Sequence, residues 1–202
     1  MKKILNIVTS VKGDESYSNK LSNALIENLL SAYPGSSIHT HDLAKKPFPH
    51  LEESHFKAFY TPGEAQSDEH KEAIRHSDNA IKELVEADII IIGVPLYNFG
   101  IPSTLKAWID HIVRAGLTFR YADGFPEGLI KNKKVYLAIA SGGVYSEGPM
   151  KSYDFTEPYL RAALSFIGLT DITTFRVEGT FVPGLKEKAW PKAIDRVREF
   201  AF

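Results

Sequence analysis

The residues best suited to chemistry fall in three short segments. The first, Thr9-Ser10-Val11-Lys12-Gly13-Asp14-Glu15-Ser16-Tyr17-Ser18, offers hydroxyls at Ser10, Ser16 and Ser18 just before a helical pattern begins. Free backbone N–H groups and the positive end of a helix dipole favour an anion at such a place. Hydroxyls add neutral donors, so this cradle suits a phosphate monoester and needs no basic side chain. The same serines also suit plain helix capping. The second segment, Pro95-Leu96-Tyr97-Asn98-Phe99-Gly100-Ile101-Pro102, combines flat rings with an amide that both donates and accepts. It would give a planar heteroaromatic ring stacking area and edge hydrogen bonds. The third, Ala140-Ser141-Gly142-Gly143-Val144-Tyr145, carries paired glycines that let backbone approach a ligand closely. An ordinary turn is the plainer alternative there.

The elements that position these segments alternate between two periods. Ile4-Leu5-Asn6-Ile7-Val8 reads as a buried strand. Leu21, Ala24, Leu25 and Leu29 fall at helical spacing after a cap at Ser18 or Asn19, and Pro34-Gly35 stops that helix. Ser37 to Leu43 alternates polar and apolar residues, which suits a strand nearer a sheet edge. Residues 44–66 show no clear period and hold Pro47, Pro49, Pro62 and Gly63, so they read as a long functional or mobile loop. Ile74, Ser77, Ile81, Leu84 and Val85 mark a helix that Ser67 can cap.

Ile89-Ile90-Ile91-Ile92-Gly93-Val94 has no polar face, the mark of a central strand in a parallel sheet. A helix follows from Pro102 to near Gly116, then a strand over Val135 to Ala140 and a helix from Tyr159 to Ile167. Ile172 to Val177 is a fifth strand, and Lys186 to Phe202 a last helix, interrupted or begun afresh near Pro191. Five strands alternating with five helices predict an α/β fold with helices on both faces of a doubly wound, five-stranded parallel sheet. The flavodoxin-like order 2-1-3-4-5 suits this length, with a ligand crevice at the carboxyl ends of the first and third strands. All three segments then leave the same sheet edge. A phosphate cradle, an aromatic and amide wall and a glycine pair, in strand order, describe a site for flavin mononucleotide (FMN).

Composition narrows the alternatives. The 202 residues fit one domain over 1–202. The 24 cationic and 25 anionic residues give a net charge of -1, which disfavours a nucleic-acid or acidic-membrane binder. There is no cysteine, hence no disulfide scaffold, thiolate metal site or cysteine nucleophile. The apolar run after Lys2-Lys3 is too short for a signal peptide and no run approaches a membrane span, so a cytoplasmic protein is expected. The G-x-G-x-x-G, P-loop and G-x-S-x-G patterns are absent. A receiver domain would need acidic residues where Thr9-Ser10 and Pro95-Leu96 stand.

The chain resembles the FMN-dependent NADH-azoreductases, flavodoxin-like NAD(P)H:quinone oxidoreductases. The resemblance rests on Ser10 with Ser16-Tyr17-Ser18-Asn19, on Pro95-Leu96-Tyr97-Asn98-Phe99, on Arg114-Ala115-Gly116-Leu117-Thr118-Phe119-Arg120-Tyr121, and on Gly142-Gly143 with Gly148-Pro149. Pro158-Tyr159-Leu160 and Phe166-Ile167-Gly168 continue it, so that it covers nearly the whole chain. It implies FMN phosphate contacts at Ser10, Ser16, Tyr17 and Ser18, ring contacts at Leu96, Tyr97, Asn98 and Phe99, and further contacts at Ala140, Ser141, Gly142 and Gly143. It implies NADH or NADPH as electron donor, a quinone or azo compound as acceptor, and hydride transfer in two half-reactions at one site. It also implies a homodimer with the site at the interface. Two residues depart from the pattern. Leu96 stands where Met is common, and Ala140-Ser141 stands where relatives can show Ser-Arg, which removes a hydroxyl and a charge.

No side chain is assigned a catalytic role; Tyr97, Asn98 and Tyr145 are candidate polar helpers. A flavodoxin-type electron carrier is the alternative, although such carriers tend to be strongly acidic. His39 and His41 share a strand face and have ligand chemistry, but without an assignable third ligand they read as solvated surface histidines, and no metal is expected. His111 reads as solvated, and Asp110 with Arg114 as an ordinary exposed i,i+4 pair. Phe56, Phe59, Tyr60, Phe119, Tyr121 and Phe125 fall in segments read as irregular.

Overall fold

The computed structural model describes residues 1–202. Its main sheet holds β1 (Lys3–Val8), β2 (Ser37–Asp42), β3 (Ile89–Pro95), β6 (Lys134–Ala140) and β7 (Asp171–Val177). The order is β2-β1-β3-β6-β7 with every pair parallel, which is the expected 2-1-3-4-5 arrangement. The helices are α1 (Tyr17–Ala32), α2 (Glu53–Tyr60), α3 (Asp68–Glu86), α4 (Ser103–Ile112), α5 (Glu157–Phe166) and α6 (Lys186–Glu199). No helix is long and apolar enough to cross a membrane.

The isoleucine run divides its side chains between two cores, as the two-residue strand period requires. Ile89 and Ile91 join Leu21, Leu25 and Leu29 of α1 and Ala193 and Val197 of α6. Ile90 and Ile92 join Ile81 and Leu84 of α3, Trp108 of α4 and Leu164 of α5. Every residue of β3 is buried, as its composition demands, whereas β2 is largely exposed at the sheet edge.

Two elements depart from the expected pattern. The 44–66 segment is not wholly a loop, because it contains α2. Its face toward the protein is made by buried His55 and Ala58 with half-buried Phe59, and carries no aliphatic stripe. Residues 119–128 form a hairpin, β4 (Phe119–Ala122) and β5 (Phe125–Gly128), turned at Asp123-Gly124 with φ of 52° and 82°. Both central residues are left-handed, as a two-residue type I′ turn requires, and Asp-Gly is a preferred sequence for it. Pro191 lies inside α6, which runs on without a break.

Packing of α2 overturns two surface assignments. His111 is fully buried, with rings of Phe48, His55 and Phe59 against it, and its Nε2 lies 3.0 Å from the Pro49 carbonyl. Burial lowers its pKa below the usual histidine value. Asp110 pairs with Lys106 at 2.5 Å and not with Arg114. Helix α4 ends at Ile112, so i,i+4 geometry does not extend to Arg114. The Arg114 side chain instead lies 8% exposed, donates to Asp78 and Ser77 of α3, and stacks 4.4 Å over Phe59.

A buried ionic cluster holds the segment between β6 and α5. Arg176 of β7 meets Asp154 at 2.5 Å, Glu157 at 2.6 Å and Glu178 at 3.2 Å. Glu178 in turn accepts from the Tyr145 and Ser146 amides at 2.8 and 3.0 Å. Burial alone would raise the Glu157 pKa, but hydrogen bonds from Thr174, Arg176 and Arg161 overcome it and set the pKa below the ordinary value. A depressed folded-state pKa gives stability above the unfolded value, lost as pH falls through the folded one. Thermal midpoints measured from pH 7 down to pH 3 should therefore fall more steeply for the wild type than for Glu157→Gln; parallel curves would refute this account.

The hairpin docks through two glycines. A Cβ on Gly128 would lie 2.1 Å from the Gly168 nitrogen and 2.4 Å from its Cα, both backbone atoms that cannot rotate away. Overpacking of this kind costs about 3 kcal/mol or more, so Gly128→Ala should lower the thermal midpoint by roughly 6–12 °C in scanning calorimetry.

Candidate functional site

The first, third and fourth strands of the expected order, β1, β3 and β6, end side by side, and one side-chain and two backbone hydrogen bonds hold the strand ends together. Thr9 Oγ1 donates to the Gly93 carbonyl at 2.7 Å, Leu96 N–H to Ala140 at 2.8 Å, and Ser141 N–H to Val177 at 2.9 Å. Between them opens a cleft of about 330 Å³. Of the expected site residues, Ser10, Ser16, Tyr17, Leu96, Tyr97, Ala140, Ser141 and Gly142 line it.

Ser16 caps α1: its side chain accepts from the Asn19 amide at 3.4 Å, while its Oγ lies 2.9 Å from Ser18 Oγ. The cap thus falls at Ser16, where Ser18 or Asn19 was expected. The Tyr17 and Ser18 amides sit in the first helical turn, where no intrahelical acceptor exists. Ser10 Oγ accepts from the Lys12 amide at 3.3 Å and sits 3.4 Å from the Tyr97 hydroxyl. Hydroxyls and free amides therefore gather at one end of the cleft. Pro95, Leu96, Tyr97 and Phe181 supply the apolar walls.

Four expected residues lie outside the lining. Ser18 is fully buried within the first turn of α1. Asn98 and Phe99 form the tip of a tight turn, with Tyr97 N–H donating to Gly100 at 3.1 Å and Gly100 N–H to Tyr97 at 3.0 Å. Both tip residues are left-handed, at φ 48° and 70°, which is strained for phenylalanine. Asn98 is exposed, and the Phe99 ring packs toward Tyr145 and Tyr153. Gly143 sits beside the cleft, against the Tyr145 ring.

The structure adds Lys12, Glu15, Pro95, Thr180 and Phe181. Thr180 and Phe181 follow β7 and zip onto the glycine loop. Gly179, Thr180 and Phe181 amides donate to the Gly143, Ser141 and Gly142 carbonyls at 3.0, 3.3 and 3.0 Å. The Gly142 and Gly143 amides are left without a protein acceptor. A Cβ on Gly142 would meet the Phe181 ring at 2.6 Å, so any larger residue there would push that exposed ring aside. The Ser141 hydroxyl is spent within its own loop, donating to the Gly143 carbonyl at 2.8 Å. The parallel topology was the available signal for Thr180 and Phe181, because the loop after the fifth strand leaves the same edge. Lys12 lies 5.5 Å over the Phe181 ring and brings a cation to a cradle expected to do without one.

Away from the cleft, His39 and His41 are not simply solvated. Both face Glu83 of α3, at 3.3 and 3.2 Å, and His41 is half-buried. The irregular aromatics also find elements: Phe56, Phe59 and Tyr60 lie on α2, and with Arg114 and Phe119 they border a second cavity of about 220 Å³.

The flavodoxin-like fold family model matches residues 2–201. A protein of Beijerinckia indica subsp. indica named FMN-dependent NADH:quinone oxidoreductase is 48% identical over 199 residues, covering 98% of both chains. The crystal structure of azoreductase from Bacillus anthracis str. Sterne superposes with a TM-score of 0.90 at 30% identity, covering 98% of this chain and 97% of that one. An FMN-dependent NADH-azoreductase from Bacillus anthracis str. Ames Ancestor, solved in complex with FMN, gives 0.86 at 26% identity over 100% of both chains. By sequence and by architecture, the chain belongs to the flavodoxin-like fold family, among relatives named FMN-dependent NADH:quinone oxidoreductases.

Proposed function

We propose that this chain is an FMN-dependent oxidoreductase, one unit over residues 1–202, that uses NADH or NADPH to reduce quinones and azo compounds in the cytoplasm. The carrying observation is the cleft in which Ser10, Ser16, Leu96, Tyr97, Ser141 and Gly142 converge. Its donor chemistry fits FMN from end to end. Ser10, Ser16 and the first amides of α1 would hold the phosphate, with Lys12 as counter-charge. Leu96 and Tyr97 face the ring, and the unpartnered Gly142 and Gly143 amides supply donors at the ring's polar edge.

When bound, FMN supplies the two-electron chemistry, taking reducing equivalents from the nicotinamide and passing them to the acceptor in alternate half-reactions. The protein's part is positional and electrostatic. The Gly142 and Gly143 amides are fixed donors for negative charge that builds on the ring, by the logic of an oxyanion hole. Tyr97 and Phe181 exclude water from the walls. No side chain acts as nucleophile.

Exposed aromatics support a homodimer. Phe125 and Phe181 are each 76% exposed and Tyr121 is 70% exposed, with Phe99, Tyr153 and Phe155 also open to solvent. So many exposed large apolar side chains suit coverage by a second copy. Light scattering in solution should return twice 22.5 kDa for the wild type, and Phe125→Asp should shift it toward the monomer. A wild-type mass of one chain would exclude the dimer.

The cofactor reading is tested by titrating FMN and riboflavin separately. FMN should bind in the micromolar range or tighter, and riboflavin should bind at least about tenfold more weakly for want of the charge-assisted bonds. Ser16→Ala should weaken FMN by about tenfold and leave riboflavin nearly unchanged. Anaerobic NADH should then bleach the flavin, and benzoquinone should restore its colour. Bound FMN that NADH leaves yellow would favour the electron carrier, and equal affinity for both flavins would remove the phosphate cradle.

A further inference from the structure

Edge strand β2 presents two imidazoles to one carboxylate. His39 and His41, paired in register with Leu5 and Ile7 of β1, project from the same face. Glu83, more than two turns of α3 beyond Ile74, stands opposite, and one ligand atom from each of the three lies within 4.8 Å of the others. Its ion-pairing partners are these two histidines, because the neighbouring lysine, Lys3, pairs with Glu86 at 3.6 Å.

The separations are informative. His39 Nε2 lies 3.3 Å from Glu83 Oε1 and His41 Nδ1 lies 3.2 Å from Oε2. Charge-assisted N–H···O bonds are usually about 2.7–2.9 Å long. A tetrahedral ion with bonds of about 2.0–2.1 Å has ligand atoms roughly 3.3 Å apart, and each imidazole nitrogen stands at that distance from its own Glu83 oxygen, with one ligand atom from each of the three residues inside 4.8 Å. The His41 ring is braced by Phe48, at 5.3 Å between centroids, so its orientation is set by packing. A cleft of about 320 Å³ bordered by His39, Glu83 and Glu86 leaves room for water on the remaining coordination position.

We propose that His39, His41 and Glu83 form a binding site for a divalent transition ion, Zn²⁺ or a similar borderline ion, that clips the open edge strand β2 to α3. The donor set is two imidazoles and one carboxylate, which suits Zn²⁺, Co²⁺, Ni²⁺ and Cu²⁺ and disfavours Mg²⁺ and Ca²⁺. Each imidazole presents its lone pair to the ion and keeps its proton on the other ring nitrogen. None of the three residues lines the cleft between β1, β3 and β6.

The full chain, FMN-loaded and free of any histidine tag, is titrated with ZnCl₂ by calorimetry and with CoCl₂ by visible absorbance. One equivalent should bind, Co²⁺ should give the intense bands of a four-coordinate site, and Zn²⁺ should raise the thermal midpoint. His39→Gln and Glu83→Gln should each weaken binding by at least about tenfold, the smallest cost expected for disturbing a metal's ligand shell. His50→Gln, at a histidine outside the cluster, should change nothing. His39 is exposed, so its variant should fold normally, and its metal-free melting curve checks that. Absence of binding at 100 µM metal (roughly a Kd above 10⁻⁴ M), or binding that His39→Gln leaves intact, overturns the site.

Discussion

A strand with no polar face has to be covered twice, and that constraint organises this molecule. The isoleucines of β3 send alternate side chains into two separate cores, one under α1 and α6 and the other under α3, α4 and α5. Helices on both sides of a parallel sheet demand crossover connections, and crossovers of one hand bring every strand's carboxyl end to the same edge. The chemistry is gathered there as a result. The Thr9 hydroxyl and the Leu96 and Ser141 amides then tie neighbouring strand ends together, so the cleft inherits the rigidity of the sheet.

The second layer of control lies in loop-to-loop pairing. Residues 179–181 bond to the carbonyls of the glycine loop, and Arg176 gathers three carboxylates, one of which holds the Tyr145 and Ser146 amides. Satisfying the carbonyls of Ser141, Gly142 and Gly143 on one side leaves two amides unspent on the other. A ligand with electron-rich edges would meet donors already fixed by the loop, with little ordering cost.

Much of this was legible in the residues. The sheet order followed from five strand patterns alternating with helices, and eight of the twelve expected site residues line one cleft. What escaped has physical causes. Helix α2 carries its inward face on His55, Ala58 and Phe59, so an aliphatic period could not reveal it. His111 and Arg114 were read as surface groups because their covering element, α2, had been missed. The Asp123-Gly124 pair is a readable hairpin signal, because both residues favour the left-handed turn seen there. Glu83 is distant from His39 and His41 in the chain, and only the packing of α3 on the edge strand brings the three together.

The turn at Asn98–Phe99 has a consequence for how Tyr97 is presented. A left-handed phenylalanine stores on the order of 1–2 kcal/mol, and the flanking pair of backbone bonds holds it in place. That energy is already stored before anything enters the cleft. Tyr97 therefore stands at its post as a rigid fixture, and the cofactor meets a finished wall instead of building one on arrival.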